Sequence, residues 1–295
     1  MCVHAMASTV ARGYGSVVAR EVHLYDPQTL YRHWEDAQWS PFAIDLDADR
    51  EQWGSMDEGD RGLVHWALAS LMVAEERITT KFSGLVSAYG SEEEATFLAT
   101  QQVDEARHMQ FYARFQDEAI ADPQAIGTHV ERARAQLSPS FSEIFDVALV
   151  QAHERLVAQP ADEAAKVDFV TTYHMVIEGT LGLTAFNFIV RYLEREALLP
   201  GFVNGYSKIH HDEQRHIAYG TWFLREAVRE TPALGENVRQ TLRALLPAVA
   251  QALAPPDREG TDWDALGAGA EEIRDFAVSG LSRRLKIVGV PLDSL

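Results

Sequence analysis

Apolar residues recur at helical spacing along most of the chain, and this pattern predicts long amphipathic helices. The segment 58–88 shows it at Leu71, Ile78 and Leu85, which are seven residues apart. The same spacing predicts further helices over 91–121, 140–158, 163–195, 202–230, 234–253 and 265–283. No period-two alternation and no glycine-rich phosphate loop interrupts these segments, so the sequence predicts an all-α protein.

Both ends of the chain have weaker patterns. Residues 1–20 lack the charged start and apolar core of a signal peptide, and we expect them to form a loose tail. The stretch 24–45 is aromatic and contains Pro27 and Pro41, which indicates turns. The last residues, RRLKIVGVPLDSL, are expected to be short and mildly extended. We therefore predict a single domain over residues 21–290.

Composition narrows the range of partners. The formal net charge of −18 disfavours binding to nucleic acid or to anionic membranes. Cys2 is the only cysteine, which excludes an internal disulfide framework and fits a cytoplasmic location. No uninterrupted apolar run approaches the roughly 20 residues that a membrane-spanning helix needs. These observations indicate a globular protein whose partners are small molecules or other proteins.

One five-residue pattern occurs twice: DEARH at 104–108 and DEQRH at 212–216. In each copy a Glu precedes a His by three residues, so both side chains project from one face of a helix and can reach one ion. A single E-x-x-H is expected by chance in a chain with this composition. Two copies in the same context, each within a long helical segment, indicate a metal site in a helical bundle.

Four-helix proteins with two metal ions need one more Glu from each of two other helices. Glu75 falls on the apolar stripe of its segment, whereas Glu76 is turned towards the surface. Glu178 stands alone in the apolar run VIEGTLG. The chain thus consists of two helix pairs, and each pair supplies a Glu followed by an E-x-x-H.

Four carboxylates offset the charge of two divalent ions, and two imidazoles complete the ligand shell. This oxygen-rich set suits iron or manganese better than structural zinc. The alternative is that each E-x-x-H forms an ordinary surface ion pair and each lone Glu is exposed. The six candidate ligands are Glu75, Glu105, His108, Glu178, Glu213 and His216.

Several stretches resemble the ribonucleotide reductase small subunit and the related ligand-binding oxidases of the ferritin-like superfamily. They are QWSPFAID, EERIT, DEARH, YHMVIEG and HDEQRHIAYG, in that order over residues 35–230. The resemblance implies a ferritin-like four-helix bundle with additional flanking helices, and the same six metal ligands. It also implies an Mn/Fe or Fe/Fe cofactor, O₂ activation, a bound long-chain fatty acid or similar hydrophobic ligand, and a homodimer.

The oxidases also form an ether cross-link between a tyrosine and a β-branched aliphatic residue. By resemblance the tyrosine is Tyr173, five residues before Glu178, and the aliphatic residue is Ile78, three after Glu75. The family usually has Val at the aliphatic position. Isoleucine also carries a tertiary Cβ–H, so the same bond can form here, although the residue departs from the family pattern.

The reductase small subunit is the rival interpretation. Its radical relay resembles Trp39, Asp212 and His108, and Tyr112 occupies the position of its stable tyrosyl radical. The last tyrosine of this sequence is Tyr219, so the C-terminal tyrosine through which such a subunit passes its radical has no counterpart. This favours the oxidase. A metal store or a structural bundle is a third alternative.

Two acids and three histidines adjoin the motifs. By the family pattern Asp212 contacts His108, and by analogy Asp104 is paired with His216, so that each carboxylate orients an imidazole. The remaining histidines are expected to be hydrogen-bonded or solvent-facing rather than metal ligands. They are His174, His210 and His211.

Overall fold

The computed structural model describes residues 23–122, 126–135, 137–253 and 267–294; the predicted tail at 1–20 lies outside them. Among these residues helices dominate and no β-strand occurs, which confirms the all-α prediction. The α-helices are α1 (Pro27–Asp36), α2 (Asp47–Ser55), α3 (Glu58–Lys81), α4 (Ser83–Ser87), α5 (Glu92–Glu118), α6 (Ile126–Arg134), α7 (Pro139–Ser142), α8 (Leu149–Ala158), α9 (Glu163–Val170), α10 (Leu183–Arg195), α11 (Pro200–Glu230), α12 (Leu234–Ala252) and α13 (Ala270–Val288).

The bundle consists of α3, α5, α11 and one continuous helical stretch that runs from α9 to α10. Helix α3 packs along α5, and α11 packs against both α5 and the middle of the α9–α10 stretch. The predicted segments correspond to these helices, with small differences at their ends. The other helices surround the bundle, and no helix among the described residues is long and apolar enough to cross a membrane.

Side-chain caps fix where the bundle helices begin. The Asp57 carboxylate accepts a hydrogen bond from the Asp60 amide at the start of α3. The Ser91 hydroxyl accepts one from the Glu94 amide at the start of α5. These caps set the register of two helices that carry candidate ligands.

Helix α11 follows Leu199, whose φ is 48° and whose apolar side chain cannot cap the helix. The buried carboxylate of Asp49, on α2, supplies the missing acceptor. It receives hydrogen bonds from the amides of Gly201 (2.8 Å) and Phe202 (2.7 Å). Helix α2 thereby anchors the N-terminus of the helix that carries the second motif.

Replacing Asp49 with alanine should destabilise the protein by about 2–4 kcal/mol, because two buried amides lose a charged acceptor. Urea unfolding measures the change. Asp49→Asn is the matched control, since it keeps one acceptor oxygen and should lose less. Equal stability of Asp49→Ala and the wild type would contradict the capping role.

The predicted turns at 24–45 are only partly present, because this stretch contains helix α1. Asp26 caps α1 through the Thr29 amide, and Pro27 occupies the first turn, where proline is compatible with a helix. Pro41 begins a single 3₁₀ turn. Reading Pro27 as a helix breaker was therefore wrong, since its position in the helix decides its effect.

The prediction of an extended C-terminus was also wrong. Helix α13 continues to Val288 and ends at Gly289, whose φ of 87° suits a helix C-terminus. Arg284 of α13 donates a hydrogen bond to the Gly179 carbonyl in the bundle. The C-terminal helix thus covers the stretch around Glu178, a role that the sequence did not reveal.

Residues Thr171–Gly182 form a π-helix between α9 and α10. Gly179 permits it, since a Cβ there would lie 2.6 Å from the His174 carbonyl oxygen and 3.0 Å from Arg284 Nε. The wider winding contains Tyr173, His174 and Glu178. Such segments are frequent at functional sites, because they redirect side chains that an α-helix would place elsewhere.

Candidate metal centre

The six predicted ligands converge in the middle of the bundle. Their carboxylate oxygens and imidazole nitrogens form two overlapping groups, and within each group all ligand atoms lie within 4.8 Å of one another. The groups are Glu75, Glu105, His108 and Glu213, and Glu105, Glu178, Glu213 and His216. All of these side chains are buried except Glu213, which is partly exposed.

Glu105 and Glu213 lie between the two imidazoles. The Nδ1 atom of His108 is 3.3 Å from Glu105 Oε2 and 3.5 Å from Glu213 Oε1. On the other side, Nδ1 of His216 is 3.2 Å from Glu105 Oε1 and 3.9 Å from Glu213 Oε2. Each of these two carboxylates thus turns one oxygen towards each half of the site, as a bridging ligand does.

The other two carboxylates each serve one half. Glu75 Oε1 lies 3.6 Å from His108 Nδ1, and Glu178 Oε1 lies 3.2 Å from His216 Nδ1. Each half therefore has one imidazole nitrogen, one terminal carboxylate and a share of two bridging carboxylates. This donor set fits two divalent ions of the iron or manganese type.

The buried polar atoms of the site support the same conclusion. Four of them have no hydrogen-bond partner among the described residues, although an unpaired buried polar atom costs free energy. They are Oε2 of Glu75, Oε2 of Glu105, Nδ1 of His108 and Oε2 of Glu178. Two metal ions would provide partners for all four.

The far nitrogens of both imidazoles meet aspartates. Nε2 of His108 is 3.2 Å from Asp212 Oδ2, and Nε2 of His216 is 3.3 Å from Asp104 Oδ2. With the proton on Nε2, each imidazole donates to its aspartate and directs the Nδ1 lone pair into the site. The structure places both acids where the sequence expected them.

Two indoles and two arginines bind these two aspartates. Trp39 Nε1 donates to Asp212 (2.7 Å), and Trp34 Nε1 donates to Asp104 (2.9 Å). Arg215 joins the two carboxylates, since its Nη2 donates to Asp212 Oδ1 (2.5 Å) and to Asp104 Oδ2 (3.1 Å). Arg107 also donates to Asp104 (2.8 Å).

Sequence reasoning missed Trp34 and both arginines. The arginines repeat in D-E-x-R-H, and that repetition was the available signal. Burial alone would raise the pKa of Asp212, but the hydrogen bond and positive charge of His108 and the charge of Arg215 hold it well below its usual value.

Crowded carboxylates shift the protonation of the metal-free site. Burial, together with neighbouring Glu105, raises the pKa of Glu75 and of Glu178 to about 7. Burial and the charges of Glu178 and Glu105 also raise the pKa of Glu213 well above its usual value. Burial alone would lower the pKa of each imidazole, but the surrounding carboxylates raise it well above 6.5.

We expect the metal-free protein to lose stability as the pH rises from about 5 to 8. The folded state keeps Glu75 and Glu178 protonated to about pH 7, whereas the unfolded chain ionises them near 4.5, which costs about 3 kcal/mol for one such group. The raised pKa of His108 acts in the same direction. Its contribution to the free energy of unfolding is fully present below pH 6.5, and it is lost as the pH rises through the pKa that His108 has in the folded state.

Urea unfolding of the metal-free protein across this pH range measures the effect. Glu178→Gln cannot ionise and should show a shallower pH dependence. Addition of Mn(II) or Fe(II) should reverse the trend, because metal binding competes with protons. Metal-free stability that increases over the same range would contradict the electrostatic description.

The predicted cross-link residues lie on the Glu75 and Glu178 helices. Tyr173 is fully buried, and its hydroxyl donates to Glu105 Oε1 (2.5 Å). The side-chain amide of Gln101 donates to the Tyr173 oxygen (3.3 Å) and to Glu178 Oε1 (3.2 Å). Ile78 is buried in the same apolar cluster as Tyr173.

An apolar cavity of about 110 Å³ opens beside the site. Glu75, Glu178 and Glu213 form its polar end, and Ile78 and Tyr112 also line it. A second cavity of about 130 Å³ adjoins the first. The walls that both cavities share are Ser70, Leu71, Phe141, Leu181 and Ala185.

Tyr112 and Trp39 are the two candidate relay residues. Tyr112 is fully buried beside the cavity, and its hydroxyl has no hydrogen-bond partner among the described residues. Trp39 stacks near His108, with ring centroids 6.5 Å apart, and is partly exposed. Of the other histidines, His174 is fully buried and His210 is half-buried against Phe186.

Known proteins share this fold. Residues 22–253 match the family model described as "Ribonucleotide reductase, small chain". Among solved structures, a valine-to-isoleucine variant of an R2-like ligand-binding oxidase with reconstituted Mn/Fe cofactor has a TM-score of 0.78 at 24% identity, covering 90% of this chain and 94% of that one. A glycine-to-leucine variant has a TM-score of 0.78 at 23% identity and covers 96% and 100%. These similarities confirm the ferritin-like fold.

Proposed function

The chain belongs to the ribonucleotide reductase small-chain family, and from that premise we propose that it is an O₂-activating dinuclear metal oxidase that oxidises an aliphatic C–H bond. One observation carries the proposal: Glu105 and Glu213 bridge two carboxylate–histidine groups at the polar end of an apolar cavity that Ile78 lines. Such a site brings an aliphatic C–H bond close to two metal positions.

The proposed ligands are Glu75, Glu105 and His108 for one ion, and Glu178, Glu213 and His216 for the other, with Glu105 and Glu213 shared. An Mn/Fe pair is the proposed cofactor, and Fe/Fe is the alternative. The reconstituted Mn/Fe cofactor of the similar solved structures supports this choice. When bound, the two ions would supply the electrons for O₂ reduction and thereby the oxidising power.

The residues around the site keep water out and hold the phenol that is to be oxidised. Glu75 and Glu178 lie among apolar walls that keep the site poor in water. Burial and the charge of Glu105 raise the pKa of Tyr173 well above 10, so its phenol stays protonated and donates to Glu105. Glu105 is thus in position to receive the phenolic proton.

The proposed oxidation forms a cross-link between Tyr173 and Ile78, which are buried in the same apolar cluster. An O–C bond forms between the Tyr173 oxygen and the Ile78 Cβ, while the phenolic O–H and the aliphatic C–H bonds break. Two protons leave, one of them to Glu105, and two electrons pass to the oxidant derived from O₂. Gln101 holds the phenol oxygen in place as an amide donor.

The proposed ligand is a long-chain fatty acid or a similar hydrophobic molecule. The two adjoining cavities have almost entirely apolar walls and end at three carboxylates. The head of such a ligand would face Glu75 and Glu178, and its chain would pass Leu71 and Ala185 into the second cavity. A homodimer stays a prediction from the resemblance, and a cytoplasmic location stays a prediction from the single cysteine.

The radical-generating subunit of a ribonucleotide reductase is the second candidate. The hydrogen bonds that join Trp39, Asp212 and His108 favour it, since they connect a partly exposed indole to a metal position. Tyr112 lies beside Glu75 in the cavity wall, where an oxidant could reach it. This candidate predicts a stable Tyr112 radical and a large catalytic partner.

An oxygen-electrode experiment tests the proposed function. Metal-free protein is loaded with Fe(II) and Mn(II) without O₂, freed of excess metal, and mixed with buffer that contains O₂. The oxidase predicts rapid O₂ uptake in proportion to the protein. Full loading with no O₂ uptake would instead support a metal store or a structural bundle.

A further inference from the structure

Another buried tyrosine lies close to the site. Tyr219 on α11 is fully buried, and its hydroxyl donates to Glu94 Oε1 (2.7 Å). Glu94 is also buried, and its other oxygen accepts from the Gly90 amide (2.7 Å). At this distance a carboxylate can take the phenolic proton directly. The metal centre does not require this pair.

A row of aromatic rings connects Tyr173 to Tyr219 and continues to the surface. The ring centroids of Tyr173 and His174 are 4.6 Å apart, and those of His174 and Tyr219 are 5.4 Å apart. Tyr219 is followed by Trp222 at 5.9 Å, and Trp222 is partly exposed. Each ring is therefore in van der Waals range of the next.

The fold makes room for the ring in the middle of this row. A Cβ at position 220 would lie 2.2 Å from the His174 Cβ, so the close approach of α11 requires Gly220. A glycine within a helix is less favourable than alanine. Burial lowers the pKa of His174 well below 6.5, and the neutral ring bonds to Gln101 (3.3 Å).

We propose that Tyr219 is a redox-active tyrosine that carries oxidising equivalents from Tyr173 to Trp222 when Ile78 is not oxidised. The row of rings gives the electron a path in the opposite direction, from the surface to the site. Glu94 gives the Tyr219 proton a place to go. The function is to protect the metal centre from an oxidant that has found no C–H bond to oxidise.

The steps balance in electrons and protons. Tyr173 gives one electron to the O₂-derived oxidant and its proton to Glu105. Tyr219 then gives one electron to the Tyr173 radical, which takes its proton back, while the Tyr219 proton moves to Glu94. Trp222 reduces the Tyr219 radical, the proton returns from Glu94, and a small thiol or ascorbate in solution finally reduces Trp222.

This inference rests on the proposed function, since the oxidant comes from O₂ at the metal centre. The proposal also makes two reactions of Tyr173 mutually exclusive: the cross-link to Ile78 and electron transfer from Tyr219. An ether oxygen has no proton to give, so a cross-linked Tyr173 cannot take part in the transfer. Molecules that carry the Ile78–Tyr173 bond should therefore show little oxidation at Trp222. A buried Tyr–Glu pair with only a structural role predicts no such relation.

The test is to load the full chain with Mn(II) and Fe(II), expose it to air without a reductant, and map oxidised peptides by mass spectrometry. Freeze-quenched samples are examined by electron paramagnetic resonance for tyrosyl and tryptophanyl radicals. The variants are Tyr219→Phe, which keeps the ring packing, and Glu94→Gln, which cannot take a proton as a carboxylate does. Tyr192→Phe is the matched control, because Tyr192 is a buried tyrosine bonded to another acid, Asp60.

We expect oxygen adducts on Trp222 in the wild type and in Tyr192→Phe, and their loss in Tyr219→Phe. Oxidation of residues around Tyr173 should rise several-fold in that variant. If either variant fails to fold, the other provides the test. Trp222 adducts that persist in Tyr219→Phe, or molecules that have consumed O₂ but carry neither the Ile78–Tyr173 bond nor a Trp222 adduct, would overturn the inference alone. Metal-loaded protein with no oxidised residue at all would overturn the proposed function as well.

Discussion

Replacing Glu105 with glutamine is expected to abolish tight binding of both metal ions. Glu105 Oε2 faces His108 and Oε1 faces His216, so one substitution removes a negative ligand from each half of the site. Loss of a group that only supports a ligand typically weakens metal binding by about 10- to 100-fold, and loss of a shared ligand should exceed that. O₂ uptake should disappear with the metals.

Anaerobic titration with Fe(II) and Mn(II), followed by metal analysis after gel filtration, measures the loss. Glu76→Gln is the matched control. Glu76 is the neighbour of Glu75 but forms an ion pair with Arg134 (2.6 Å) away from the metal centre. The control should bind two ions per chain as the wild type does. Two tightly bound ions in Glu105→Gln would contradict the proposed ligand set.

Replacing Ala185 with phenylalanine is expected to abolish binding of the hydrophobic ligand while both metal ions stay bound. Ala185 lies where the two cavities adjoin and lines both of them. A benzyl group there would fill the passage between cavities of about 130 and 110 Å³. Ala185 contributes no atom to the metal centre, so metal binding and O₂ uptake should be unchanged in the variant.

Extraction of purified protein with organic solvent, followed by mass spectrometry, shows whether a fatty acid or similar molecule is bound. Val157→Phe adds the same bulk at an exposed position and serves as the control. The control should retain the ligand at the wild-type level. A full complement of ligand in Ala185→Phe would place the binding site elsewhere.

The candidate ligand set could be recognised in the sequence because metal binding between helices demands a fixed spacing. A Glu and a His that share one ion must lie one helical turn apart, so the repeat at 104–108 and 212–216 locates four of the six groups. Glu178 could be found because a lone carboxylate in an apolar run needs a partner. The helices follow from apolar periodicity, and the structure has them close to their predicted bounds.

The surroundings could not be predicted, because they depend on contacts between segments far apart in the chain. Trp34 reaches Asp104 across 70 residues, and Gln101 reaches Glu178 across 77. Neither residue has a neighbour in sequence that signals its role. The π-helix at Thr171–Gly182 likewise contacts a distant segment, since Arg284 donates a long-range hydrogen bond to the Gly179 carbonyl.

The most direct test of the account is a peptide map of the protein before and after aerobic loading with Mn(II) and Fe(II). The predicted result is a joined species that contains Ile78 and Tyr173, two hydrogens lighter than the separate peptides, and absent from the metal-free protein and from Tyr173→Phe. Unlinked peptides in protein that holds two metal ions and has consumed O₂ would contradict the proposed C–H oxidation. A long-lived radical at Tyr112 in the same sample would then identify the chain as a radical-generating subunit.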